Sequence, residues 1–287
     1  MTPEPALPPG RPAPTNATGR VGNLALAVQR FGRVWAPGVP SAAWRQFRTM
    51  SPVWRGGITF VILSALLLDR PSVAWARALP APVRAFFDWL TDFGKSGWLL
   101  ALSGVVGLIL LCVDWRAVSR RAAAAWTEVG IIAGFAFWSI AGSGILGNVI
   151  KQLVGRARPG SFDEQGAFSF LPLQFDYAHA SFPSGHATTM GALAVIVAVA
   201  APRLIVPAAV FCGLVAVSRV VVGAHYPSDV VGGFLWGAAY TWFYALALAE
   251  AGIGFARGPG GTIRARVVAI RRVFWRSRGL QAAAAEP

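Results

Sequence analysis

The sequence predicts an all-α integral membrane protein, a bundle of six transmembrane helices. Three observations carry this expectation. Only 13% of the 287 residues are charged and 55% are hydrophobic, whereas about 25% of a soluble domain is charged. The mean hydropathy is +0.54. The apolar residues gather in runs near the length a helix needs to cross a bilayer, and arginines stand at the ends of those runs.

The runs follow in order. Residues 1–20 are rich in Pro and lack the apolar core of a cleavable signal peptide, so they are expected to be a disordered tail. An Asn16-Ala17-Thr18 glycosylation sequon lies on the side assigned below to the cytoplasm and is set aside. Residues 21–55 mix Arg with Trp, Phe and Leu and read as a basic interfacial segment. There Arg30, Arg33, Arg45, Arg48 and Arg55 would face lipid headgroups. The first span, 56–68, has only 13 apolar residues and reaches across if Arg55 and Arg70 snorkel. Residues 70–95 read as a loop at the membrane interface, where Pro82 suits the first turn of a short helix.

The second span covers 96–113, followed by Arg116, Arg120 and Arg121. The third, 129–150, has 22 uncharged residues and ends at Lys151, and Pro159 forbids its continuation. An aromatic loop, 160–182, leads to a fourth span at 183–202. The fifth runs from beyond Arg203 to Ser218-Arg219, and the sixth from Pro227 to Ala249. Seven arginines among apolar residues in 257–278 read as a basic amphipathic helix lying on the membrane. The expected division is therefore a tail at 1–20, an interfacial segment at 21–55, a six-helix domain at 56–250 and a cytoplasmic tail at 251–287.

The net charge of +14 comes from 24 Arg against 2 Lys, a ratio that fits a GC-rich bacterial genome. Because the arginines flank apolar runs, their expected partners are anionic lipid headgroups and not nucleic acid. With six spans both termini share a side. That side carries 18 of the basic residues and the other carries 8. The positive side marks the cytoplasm, so both termini are expected inside, in the inner membrane of a bacterium. Cys112 and Cys212 sit within apolar runs and read as small buried hydrophobes without a disulfide.

Three polar clusters interrupt the apolar sequence: Lys151-x6-Arg158-Pro159, Pro183-Ser184-Gly185-His186, and Ser218-Arg219-x5-His225-x3-Asp229. Counting spans puts all three on the non-cytoplasmic, periplasmic face. Pro183 and Pro227 suit first helical turns, which places Ser184-Gly185-His186 and Ser228-Asp229 at helix N-termini, where backbone N–H groups bind anions. Gly185 lets the backbone come close to a ligand. Lys151, Arg158 and Arg219 add three cations. Such a site suits phosphate, with His186 and His225 as nucleophile and acid in an order that the residues alone leave open. Asp229, four residues after His225, is placed to hold its ring. Isolated residues of these kinds have plainer readings: a single Lys at a helix end snorkels, and His179 reads as an ordinary loop histidine.

The three motifs stand without substitution and in order. On them the chain resembles the type 2 phosphatidic acid phosphatase family, which shares its site with vanadium haloperoxidases. The resemblance implies a six-helix membrane phosphatase that needs no metal or other cofactor. It implies His225 as a nucleophile forming a phosphohistidine, His186 as general acid and Asp229 as support for His225. Lys151, Arg158, Ser184, Gly185 and Arg219 are implied as phosphate ligands. Arg156 is a candidate for a second phosphate, a headgroup or water. Asp92 and Lys95, in a segment similar to one in some bacterial members, are candidates for the rim.

The expected substrate is a membrane lipid phosphomonoester or pyrophosphate: undecaprenyl diphosphate, phosphatidic acid, phosphatidylglycerophosphate or lipid A phosphate. The competing functions are a lipid phosphotransferase using the same phosphohistidine, a non-catalytic lipid binder, and a haloperoxidase, which the lack of any soluble domain disfavours.

Overall fold

The computed structural model describes residues 20–115, 117–258 and 261–270. The chain is mostly helical. Eleven α-helices are found among the described residues: α1 Arg20–Gly32, α2 Val39–Thr49, α3 Ser51–Leu67, α4 Asp69–Ala78, α5 Ala81–Thr91, α6 Ser96–Cys112, α7 Arg120–Val154, α8 Phe162–Gln165, α9 Gly185–Ala200, α10 Ile205–Val221 and α11 Pro227–Glu250. A short antiparallel pair follows, β1 Phe255–Arg257 with β2 Ile263–Ala265.

Among the described residues, four helical stretches are long and apolar enough to cross a membrane: Ala81–Cys112, Arg120–Val154, Pro202–Val221 and Pro227–Glu250. A fifth arises only if α2 and α3, bent by 66° at their junction, count as one span. The expectation of six full-length spans is corrected in two places. The expected first span falls in α3, which has 17 residues and qualifies only together with α2. The expected fourth is α9, which has 16 residues, a rise of about 24 Å.

Burial explains how α9 can be short. Ala187 to Ala192, Ile196 and Val199 are all buried, and the helix packs against α7, α10 and α11. Its closest neighbour is α11. A Cβ at Gly237 would overlap the Thr188 carbonyl, so glycine is what lets the two backbones meet.

The longest element, α7, spans 35 residues, a rise of about 52 Å. It starts where the Ser119 hydroxyl accepts from the Ala122 N–H at 3.3 Å. It ends at Gly155, whose φ of 58° and tight seat against the Leu171 carbonyl admit no side chain. The chain then turns into the first polar cluster.

Three further expectations are corrected. Residues 70–95 are more helical than the loop expected: Pro82 stands in the first turn of the short helix α5 as its position suggested, but α4 precedes it where no helix was expected. Residues 255–265 form the β-hairpin where the basic amphipathic helix was expected, because Phe255 and Ile263 turn inward and Phe255 meets Phe135 edge-on at 4.9 Å. After it, the Ala269 and Ile270 N–H groups donate to the Glu128 carboxylate of α7 at 2.9 Å each. The rest of the expected tail helix, and the expected disorder of residues 1–19, lie outside the described residues. Cys112 is exposed and not buried; Cys212 is buried, and both are free thiols. The five arginines expected to face headgroups, Arg30, Arg33, Arg45, Arg48 and Arg55, are exposed.

Candidate active site

Four helix ends meet. The C-terminal ends of α7 and α10 arrive with Lys151 and Arg219, and the N-terminal ends of α9 and α11 arrive with Ser184 and Ser228-Asp229. Helix α9 begins at Gly185 with Ser184 as its N-cap. Pro183 therefore precedes the helix and does not fill its first turn; it follows a cis peptide bond after Phe182. Pro227 does occupy the first turn of α11. The Ser184 N–H donates to the Asp229 carbonyl at 3.0 Å, which ties the two helix starts together.

The cations converge. Lys151 Nζ donates to the Ala180 carbonyl at 3.0 Å, and Arg158 Nη2 donates to the same oxygen at 3.0 Å. Arg158 is also held by the Tyr177 carbonyl and hydroxyl at 2.9 and 3.0 Å, with its guanidinium 3.8 Å over the Tyr177 ring. Its Nη1 lies 3.4 Å from the carbonyl of Ala224, the residue before His225. Burial pushes the Arg158 pKa below its ordinary value, against the pull of Tyr177 and Asp229. Arg219 Nη1 donates to Thr91 Oγ1 at 2.9 Å, so α5 braces the third cation. The Ser184 hydroxyl is buried and has no hydrogen-bond partner among the described residues. A Cβ at Gly185 would meet nothing within 4 Å, so the first turn of α9 borders open space. Its leading N–H groups have no carbonyl within the helix to pair with.

His225 is buried, and its Nδ1 faces Asp229 Oδ2 at 3.7 Å, longer than a hydrogen bond. That oxygen already accepts from Ser181 Oγ at 2.6 Å and from the Tyr226 N–H at 3.0 Å. Burial lowers the His225 pKa to about 4 although Asp229 pulls it up, so the ring is neutral at physiological pH and has a free lone pair. His186 projects from the first turn of α9 beside Gly94, where a Cβ would come within 2.8 Å of the imidazole. Gly94 lies in the single turn between α5 and α6, flanked by Asp92 and Lys95. These two pair with each other at 2.7 Å and are more than 60% exposed. Both rim candidates thus stand next to the His186 side of the site. His179 bonds Asp176 at 3.0 Å and Gln165 at 3.2 Å, outside the cluster.

Arg156 corrects an expectation. It faces neither water nor a headgroup: it is 3% exposed. Its Nη1 donates to Asp229 Oδ1 at 2.6 Å and to Ser228 Oγ at 2.7 Å. Its Nη2 donates to Asp69 Oδ2 at 2.7 Å. Burial opposes its charge, but Asp229 and Asp69 outweigh this and hold its pKa above the ordinary value. Sequence reasoning missed Asp69, Ser181 and Thr91. Asp69 had a signal: an ionisable residue at the edge of an apolar run in a membrane protein is a functional candidate. An open cavity of about 150 Å³ reaches His225 from the α4 side, between Val73, Arg77, Arg84, Gly160 and Val222.

Comparison with known proteins places the chain in a family. The sequence model of the PAP2 superfamily matches residues 132–252, which hold all three clusters. A lipid A 1-phosphatase of Rhizobium johnstonii is 38% identical over 241 residues, 82% of this chain and 93% of that one. A decaprenylphosphoryl-5-phosphoribose phosphatase of Mycolicibacterium smegmatis is 36% identical over 196 residues, 64% of this chain and 84% of that one. Among solved structures, a transmembrane PAP2-type phosphatidylglycerolphosphate phosphatase of Bacillus subtilis is 22% identical, with a TM-score of 0.48, over 68% of this chain and 94% of that one. The chain belongs to the PAP2 superfamily, the type 2 phosphatidic acid phosphatases.

Proposed function

We propose that this protein is a membrane lipid phosphatase that hydrolyses a lipid phosphomonoester or pyrophosphate through a phosphohistidine at His225. The observation that carries the reading is the gathering of Lys151, Arg158 and the unpartnered Ser184 hydroxyl at the start of α9, beside a neutral His225 backed by Asp229. The phosphoryl group sits among Lys151, Arg158, Arg219, Ser184 and the N–H groups at Gly185, which neutralise its oxygens as charge builds.

His225 attacks phosphorus as the P–O bond to the lipid breaks, and His186 protonates the leaving oxygen. In the second half, water attacks phosphorus, His186 takes its proton, and the N–P bond breaks to release phosphate. Asp229 stabilises the charge that the His225 ring carries in between.

In this reading the chain makes six passes, with α3 and α9 as short ones. They bring the four helix ends of the site to one side, the periplasmic face, and leave both termini in the cytoplasm. The lipid then enters sideways between helices, with Asp92 and Lys95 at the rim. Among the four substrate classes, the 38% identity to a lipid A 1-phosphatase favours lipid A 1-phosphate. The test is phosphate release by purified enzyme from lipid A, undecaprenyl diphosphate, phosphatidic acid and phosphatidylglycerophosphate. Release from lipid A well above the other three is expected. Transfer of phosphate to a lipid acceptor with little free phosphate would replace hydrolysis by a phosphotransferase.

A further inference from the structure

We propose that Asp69 and Arg156 are positioning residues for the reaction, which keep the Asp229 carboxylate oriented and negatively charged toward His225. The proposal rests on the reading of His225 as the nucleophile.

The first ground is that Arg156 has nothing left for a substrate. A guanidinium has five N–H donors. Here Nη1 serves Ser228 Oγ and Asp229 Oδ1, Nη2 serves Asp69 Oδ2 and the Ala167 carbonyl at 2.8 Å, and Nε serves the same carbonyl at 3.2 Å. Its plane is covered by the Tyr226 ring, 4.4 Å away. A phosphate ligand would need a free donor and an open face.

The second ground is charge. Two buried carboxylates share one buried guanidinium. The set carries one net negative charge, and Asp229 is its member that faces the imidazole. If Asp69 were neutral, Arg156 would cancel Asp229, and the ring would lose its counter-charge. The third ground is rigidity. Asp69 accepts from the Ser228 N–H at 3.0 Å and from its hydroxyl at 2.5 Å, so α4 is fastened to the first turn of α11. Asp229 Oδ1 is held by Arg156, which leaves Oδ2 as the oxygen turned toward His225 Nδ1. Burying such ions seldom adds stability compared with an apolar core, so a role in the reaction accounts better for the arrangement.

The test uses the full-length enzyme with lipid A as substrate and compares Asp69→Asn, Arg156→Gln and the His225→Ala control. Both positioning variants are expected to lower kcat roughly tenfold to a hundredfold, the scale of a small misplacement of reacting groups. KM and inhibition by vanadate should stay within about threefold, because Lys151, Arg158, Ser184 and Arg219 are untouched.

The acid limb of kcat/KM should move in opposite directions. Asp69→Asn removes a negative charge, makes His225 harder to protonate and shifts the limb to lower pH. Arg156→Gln removes a positive charge and shifts it to higher pH. The other charges facing His225 are unchanged in both: Lys151 on α7, Arg158 beyond it, His186 on α9, Arg219 on α10, and Arg77 and Arg84 across the cavity.

A kcat loss that tracks the loss of folded protein, with a stationary acid limb, overturns the proposal, as does wild-type behaviour of both variants. If His225→Ala keeps its activity, the nucleophile assignment itself fails. If His225→Ala is inactive while the other two behave as wild type, only the positioning role fails. Should the charge variants not fold, Ser228→Ala keeps all three charges and removes the hydroxyl that bonds both Arg156 and Asp69. It is expected to lower kcat about fivefold or more, since a single hydrogen bond is already worth about that much, and wild-type kcat there would count against the proposal.

Discussion

Lys151 and Arg158 donate to the same oxygen, the Ala180 carbonyl, at 3.0 Å each. Two cations of one motif are brought together by a carbonyl from the loop that leads into the next. Both charged groups are anchored at the proposed phosphate position, and one neutral oxygen cannot cancel them. Replacing either cation should weaken binding of the phosphoryl group as well as its reaction. Lys151→Ala or Arg158→Ala is expected to raise the concentration of vanadate needed for half-inhibition at least tenfold and to lower kcat/KM by about 10²-fold or more. Inhibition titrations on each purified variant check this. Arg203→Ala, at the opposite end of the bundle, should leave both values unchanged.

The histidines should act as a unit. His225→Ala and His186→Ala are each expected to lose about 10³-fold or more in kcat, and the double variant little further, because in the proposed mechanism either loss already blocks the phosphoenzyme cycle. Phosphate release by the three variants, measured at equal folded protein, decides this.

Acid should act on His225 late. Its pKa in the fold, about 4, lies below that of an unfolded histidine, about 6.5. The unfolded chain therefore binds the proton more readily than the folded one. The stability linked to this ring is fully present above about pH 6.5 and is lost as pH falls through about 4. Activity should follow the same direction, with the acid limb of kcat/KM in the free enzyme below that of an ordinary histidine. A pH–rate profile with its acid limb at 6.5 or above would contradict the burial argument.

EDTA should leave activity intact, because Lys151, Arg158 and Arg219 together carry the positive charge that a metal would otherwise supply. Complete loss in EDTA, restored by Mg²⁺, is the opposing result.

Close backbone packing of α9 on α11 holds the two helix starts of the site in register. Gly237→Val places a side chain on the Thr188 carbonyl and should destabilise the protein by about 1–3 kcal/mol or more, as overpacking does. Gly56→Ala, where added bulk meets nothing within 4 Å, should not. Thermal melts in detergent distinguish the two.

The motif residues were legible in the sequence because they are polar islands in apolar surroundings, and counting spans already put Lys151, His186, Arg219 and His225 on one face. The Arg156–Asp69 pair was not legible, because its members stand 87 residues apart and Asp69 looks locally like the end of a short apolar run. Pro82 marked the short helix α5, but α4 was read as loop because it has no such signal and lacks the length of a span; it is fastened by its tertiary bond to Ser228. The hairpin at 255–265 was hidden by its arginines. Two inward residues, Phe255 and Ile263, set its structure, and so short an alternation is invisible inside a basic run.

The most direct test of the account is to trap the covalent intermediate. Enzyme mixed with ³²P-labelled lipid phosphate and quenched within milliseconds should carry label that is stable in base and labile in acid, located by peptide mapping at His225 and absent from His225→Ala. Unlabelled enzyme during steady turnover, or label at any residue other than His225, would contradict it.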